Sequence, residues 1–212
     1  MKSPILYSFR RCPYAIRARM ALSYAGITIE LREISLKSRP IELYKISPKG
    51  TVPVLELPDG TVIDQSIDIM KWALNISDQD GWIDKKKQVQ TEIIYQNDFN
   101  FKPWLDKYKY YNRYPENTKS YYREKCSDFF EKYDDLLISN VYLLGNKLSL
   151  ADIAIFPFIR QSANVDIEWF SKEYVNLATW LYQQIESGLF KSIMHKYNVW
   201  DMSDKVKIIK FM

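Results

Sequence analysis

Strand-like and helix-like periods alternate along the first 75 residues. Ile5-Leu6-Tyr7 is a short apolar run that stops at the break Arg10–Pro13. Pro13 to Ala25 favours helix, and Gly26 stands where a C-terminal helix glycine belongs. Ile27, Ile29 and Leu31 alternate as in a strand, with Ile34 one step out of phase. A shorter helix fits Ile41–Ile46. Val52-Pro53-Val54-Leu55-Glu56-Leu57, the turn Pro58-Asp59-Gly60 and Thr61-Val62-Ile63 read as a β-hairpin. Ser66–Leu74 follows as a helix with Ile67, Met70 and Leu74 on one face. The order is βαβ, then ββα.

The strand signal ends at a polar break from Asn75 to Gly81. Residues 85–140 read as two long helices separated near Arg113-Tyr114-Pro115, because proline cannot continue a helix. Leu150–Ile159 and Tyr174–Glu186 are further helices. The pattern therefore predicts an α/β domain over residues 1–75, a linker over 76–84 and an all-helical domain over 85–212.

Composition narrows the chemistry. The chain has 212 residues, 47% hydrophobic and 26% charged, which suits a globular protein and not a disordered one. No apolar run reaches the roughly 20 residues that cross a bilayer, and Arg10 and Arg11 interrupt any secretory core near the start. The expectation is a cytoplasmic protein with no membrane partner. Residues 1–75 hold 11 Lys/Arg against 7 Asp/Glu, which places the whole net charge of +4 there. This suits a small anionic substrate, although scattered solvated lysines would give the same count. No dense basic stripe marks a nucleic-acid binder. With two cysteines and one histidine, His195, a Cys/His metal cluster cannot be assembled, and no metal is expected. A Cys–His dyad would need His195 to fold back on a cysteine.

Cys12 is the centre of the candidate chemistry. Proline is favoured at the first helical position, so Cys12-Pro13 makes Cys12 the N-cap residue. The helix start carries partial positive charge and unpaired N–H groups that stabilise a thiolate. Such sites lower a cysteine pKa from about 8.5 to between roughly 3.5 and 7.5. Arg10, Arg11 and Arg17 could add to this; the alternative is a buried, inert thiol. In Gly50-Thr51-Val52-Pro53, a cis Val52–Pro53 bond would turn the Val52 backbone outward to pair with a peptide, whereas a trans proline would simply start an edge strand. In Asp64-Gln65-Ser66, Ser66 reads as an N-cap whose hydroxyl either caps the helix or holds a carboxylate.

Taken in this order and spacing, these segments resemble the glutathione transferase superfamily, in its omega-like cysteine branch. Cys12-Pro13-Tyr14-Ala15 is similar to the glutaredoxin dithiol motif with its second cysteine replaced. Leu148-Ser149-Leu150-Ala151-Asp152 resembles the capping-box segment of the family's helical domain. The resemblance covers essentially the whole chain. It implies a thioredoxin-like N-terminal domain with a mixed four-stranded sheet, then a helical bundle. It further implies glutathione as co-substrate and a mixed disulfide between glutathione and Cys12. Val52 and Pro53 would hold the peptide backbone, and Gln65 and Ser66 the γ-glutamyl end. Arg39, with Lys37 as fallback, would hold the glycyl carboxylate. Gln65 departs from the acidic residue usual in the family and leaves one anion fewer for the ammonium group.

With Ala15 in place of a resolving cysteine and Cys126 placed in a helix core, a second glutathione must close the cycle. The partner would be a small disulfide or electrophile, and a homodimer is left open. Tyr108, Tyr110, Tyr111, Tyr114, Trp104, Trp169 and Trp200 are candidates for an electrophile pocket, though most bundle aromatics are core. A non-catalytic relative that binds glutathione or senses redox state is the competing reading.

Overall fold

The computed structural model describes residues 2–83, 86–203 and 205–211. The expected domain boundary at residues 84 and 85 falls outside them. The chain forms two compact units, Met1–Gln79 with Ser187–Met212, and Asp80–Glu186.

The first unit carries β1 (Ile5–Ser8), α1 (Pro13–Tyr24), β2 (Ile29–Glu33), α2 (Ile41–Ile46), β3 (Val54–Glu56), β4 (Val62–Ile63) and α3 (Ser66–Ile76). β1 and β2 are parallel, which requires the crossover that α1 supplies. β3 runs antiparallel to β1, and β4 to β3. The hairpin turns at Gly60 (φ +87°), where the Asp59 carboxylate accepts the Thr61 N–H. This is the expected thioredoxin-like arrangement.

The sheet has five strands, not the four expected. β5 (Ile208–Ile209), from the far end of the chain, pairs antiparallel with β2 and gives the order β4-β3-β1-β2-β5. The segment 187–212 therefore packs with residues 1–79 and not with the helical unit where the sequence pattern placed it. Its physical anchor is visible. Arg19 on α1 is fully buried and donates to Ser8 Oγ (2.8 Å) and to the Ile193 carbonyl (3.2 Å), and it pairs with Glu33. Met20, Ala21 and Leu22 are also buried, so α1 is surrounded by protein over most of its circumference. It packs against α3 and against α10 (Gly188–Ile193).

The second unit holds α4 (Lys87–Tyr95), a π-helical turn at Gln96–Phe101, α5 (Lys102–Lys109), α6 (Lys119–Ile138), α7 (Leu150–Ala163), α8 (Ile167–Glu173) and α9 (Val175–Glu186). The break before α6 lies where Pro115 predicts it. Short α8 and α10 were not expected from the pattern. Ser149 and Asp152 form the expected capping box at the start of α7. Asp152 is wholly buried, and it also accepts from Leu143 N (2.9 Å) and Trp180 Nε1 (3.0 Å). Phe130 at the bundle centre meets Phe101, Phe170 and Tyr174 with ring centroids 5.2–5.7 Å apart. No helix is long and apolar enough to cross a membrane among the described residues.

Candidate active site

The chain leaves β1, turns through Phe9–Arg11 and enters α1 at Pro13. Cys12 N donates to the Phe9 carbonyl (2.9 Å), closing the turn, and the Cys12 carbonyl accepts from Ile16 N (2.9 Å), opening the helix. Cys12 is thus the N-cap, in extended conformation, with Pro13 filling a position whose N–H would have no intrahelical partner. Its side chain is partly exposed, unlike that of Cys126, which is buried in α6. Burial pushes the Cys126 thiol up to about 12.

Across from Cys12 lies the Val52–Pro53 bond, which is cis. Cys12 Sγ sits 3.6 Å from the Val52 carbonyl oxygen in donor geometry. Both residues belong to one apolar cluster, where Val52 packs with Tyr7, Ile34, Leu43 and Val54, and Cys12, Phe9 and Trp200 lie against it. Gly50 (φ +60°) brings the chain into this corner with its Cα against the Tyr44 ring, where a Cβ would come within 2.3 Å of Tyr44 Cε1.

The arginines near Cys12 have definite partners. Arg10 reaches the Met194 carbonyl (3.3 Å), and its backbone N–H meets Glu33 Oε1 (2.6 Å). Arg11 is exposed and lies over the Phe9 ring. Arg17 is buried and donates from Nε to Ser66 Oγ (3.0 Å).

Ser66 differs from its expected role. The N-cap of α3 is Gln65, whose carbonyl accepts from Asp68 and Ile69 N–H groups at 3.0 Å. Ser66 is the first helical residue, and its buried hydroxyl is oriented by Arg17. Gln65 is exposed at the helix start. Arg39 is exposed in the segment between β2 and α2 and is not linked to the other site residues by a hydrogen bond among those described. The hydrogen bonds therefore join Cys12 to Val52 and Ser66 to Arg17, with Gln65 adjoining. Arg17 is the site residue that the sequence did not single out for this place, because a buried arginine has no pattern of its own.

Of the aromatics considered for an electrophile pocket, Trp200 packs on Tyr7 and stacks under Arg32 (4.4 Å) in the first unit. The other six lie in the helical unit, where Tyr108 is buried, Trp169 packs on Phe130 and Trp104 on Tyr121. His195 meets Tyr197 edge-on. Among the described residues no cluster of three or more His, Cys, Asp or Glu could hold a metal ion.

Comparison with known proteins places this geometry in a family. Residues 11–75 match the family model of the glutathione S-transferase N-terminal domain, and residues 91–181 that of its C-terminal domain. Pig glutathione S-transferase omega-1 is 24% identical over 185 residues, covering 83% of this chain and 74% of that one. Mouse glutathione S-transferase omega-2 is 42% identical over 62 residues, covering 29% of this chain and 25% of its own. Rice elongation factor 1-gamma 3 is 23% identical over 195 residues and 85% of this chain, which spans 46% of that protein's length.

Among solved structures, a glutathione transferase from Phanerochaete chrysosporium with oxidized glutathione superposes with a TM-score of 0.78 at 18% identity. It covers 91% of this chain and 94% of that one. A Pseudomonas fluorescens family member with two glutathione bound gives 0.77 at 16% identity, covering 91% and 92%. With both of its domain types matched in order along one chain, the protein belongs to the glutathione S-transferase family.

Proposed function

We propose that this protein is a glutathione-dependent thiol transferase working through one cysteine. The observation that supports it most is the partly exposed Cys12 at the N-cap of α1, 3.6 Å from the Val52 carbonyl. In the first step the Cys12 thiolate attacks the glutathionyl sulfur of a mixed disulfide. The Cys12–glutathione disulfide forms, and the other thiolate leaves and takes up a proton. A second glutathione, as thiolate, then attacks the glutathionyl sulfur of that disulfide, releasing oxidised glutathione and restoring the Cys12 thiolate. Electrons balance without a metal or a second protein thiol.

The chain's own groups have distinct tasks in this scheme. The helix start favours the thiolate both as nucleophile and as leaving group. The Val52 backbone pairs with the peptide backbone of glutathione. Its carbonyl accepts the S–H of the neutral Cys12 thiol and is released to a peptide N–H once Cys12 ionises. Ser66, held by Arg17, and Gln65 receive the γ-glutamyl end, while Arg39 meets the glycyl carboxylate. The reducing cytoplasm, rich in glutathione, is the matching compartment. A homodimer is consistent with this reading.

The likeness to an elongation factor 1-gamma favours a second reading, a glutathione-binding module without turnover. Gln65, in place of an acidic residue, leans the same way. Steady-state turnover of hydroxyethyl disulfide with glutathione, set beside chlorodinitrobenzene conjugation, separates the two. Thiol transfer well above conjugation supports the transferase; glutathione binding with neither activity supports the module.

A further inference from the structure

The helical unit contains a cavity of about 350 Å³ lined by Tyr108, Thr118, Lys119, Ser120, Arg123 and Asp166. It opens at the N-terminus of the 20-residue helix α6. Thr118 is the N-cap, and its Oγ1 accepts from Tyr121 N (3.2 Å) and lies 2.9 Å from Ser120 Oγ. That cap satisfies the third helical N–H and leaves those of Lys119 and Ser120 without an intrahelical acceptor. The helix dipole adds positive potential at the same end. The Lys119 ammonium lies over the Tyr108 and Tyr111 rings at 5.9 and 5.7 Å. Arg123 Cζ lies over the Trp169 ring (4.3 Å), with its guanidinium 3.8 Å from Asp166. The other Asp166 oxygen is occupied in capping α8.

A second, independent observation comes from Tyr108. Its side chain is 1% exposed, yet its hydroxyl is a buried group with no hydrogen-bond partner among the described residues. Burial pushes it up to about 12, and the charges that bear on it first are Asp166 and Arg123, both in the cavity wall. A buried hydroxyl without a partner is costly and leaves a donor available to an acceptor in the cavity. As a neutral donor at physiological pH, it complements an acceptor and not another donor.

We infer that this cavity is a binding site for a tetrahedral oxyanion carried on a small molecule, a phosphate or sulfate monoester. Two of its oxygens meet the Lys119 and Ser120 N–H groups, Lys119 and the helix end oppose its charge while Asp166 offsets part of that of Arg123, and the Tyr108 hydroxyl donates to it. The volume exceeds a bare oxyanion and accommodates a small organic body. All of the lining residues lie in the helical unit.

Titration of the intact protein with glycerol phosphate, and separately with methyl sulfate, tests the inference against sodium chloride at equal ionic strength. Backbone ¹⁵N–¹H shifts of Lys119 and Ser120 are the readout. Saturable shifts with either ester are expected, and the tighter ester identifies the ligand class. Arg123→Gln and Tyr108→Phe should each weaken binding about tenfold. Without ligand, Tyr108→Phe should melt no lower than the parent, since it removes an unpartnered hydroxyl. Shifts confined to the residues around Cys12 would overturn the site, as would absence of saturation with both esters. Unchanged affinity in Tyr108→Phe would overturn it too, and so would a lower melting temperature of that variant without ligand.

Discussion

Arg17 donates its Nε–H to Ser66 Oγ across 3.0 Å, and both side chains are buried. The bond joins α1, which Cys12 caps, to the first residue of α3. Arg17 thus fixes a group proposed to bind glutathione while sitting on the helix that carries the nucleophile. Arg17→Met should raise the KM for glutathione about tenfold, the loss typical of a misplaced hydrogen bond to a charged group, and change kcat much less. The pH profile of Cys12 alkylation should stay as in the parent. A fall in kcat equal to the rise in KM would assign Arg17 to the chemistry.

The two cysteines are predicted to behave oppositely. Cys12→Ser should abolish thiol transfer, because a hydroxyl cannot form the mixed disulfide, whereas Cys126→Ser should leave turnover nearly intact. Burial raises the Cys126 thiol to about 12, so about one molecule in 10,000 is ionised there at pH 8. Iodoacetamide on the folded protein below pH 8 should therefore label one site per chain, Cys12, by peptide mass spectrometry. Equal labelling of both, or equal loss of activity from both substitutions, would refute the monothiol scheme.

Binding should be separable from chemistry at the proposed ends of the tripeptide. Ser66→Ala and Arg39→Ala should each weaken glutathione about tenfold to a hundredfold by calorimetry, in line with about 1.5–3 kcal/mol for a bond to a charged group. Gln65→Glu should tighten it by supplying an anion for the ammonium group. Arg39 is the sharper test, since it is exposed and must close on the ligand to contribute. An Arg39→Ala variant with parent affinity would remove it from the site.

Asp152 ties three segments of the helical unit together. It accepts from two backbone N–H groups, Ser149 Oγ and Trp180 Nε1 while wholly buried. Asp152→Ala strands these neutral donors, at a cost of about 1–3 kcal/mol for each that stays unpaired. Urea denaturation should show a lower midpoint with m little changed. A loss below about 1 kcal/mol would mean that the donors find other partners.

Features that depend on a few adjacent residues were legible in the sequence. Cys12-Pro13 announces its own N-cap, Pro58-Asp59-Gly60 its turn, and Ser149 with Asp152 its capping box. Ser66 was misread as a cap because serine is so favoured there; Gln65 holds that position through its backbone alone. β5 is two residues long, too short to show a period, and its pairing with β2 is a contact across almost the whole chain. Buried Arg17 and Arg19 were equally hidden, since charged residues default to solvent until partners from other segments surround them.

The discontinuity of the first unit has a consequence for how the protein is made. Arg19 draws on Ser8 and Glu33 early in the chain and on the Ile193 carbonyl near its end. On a ribosome, residues 1–79 emerge first but must wait for 187–212 before α10 and β5 can complete them. At about 5–20 residues per second, that wait lasts about 7–27 s. The contiguous stretch Asp80–Glu186 has all its partners sooner. The nascent Cys12 unit thus closes after the helical one, with α1 lacking its α10 cover until residues 188–193 have emerged.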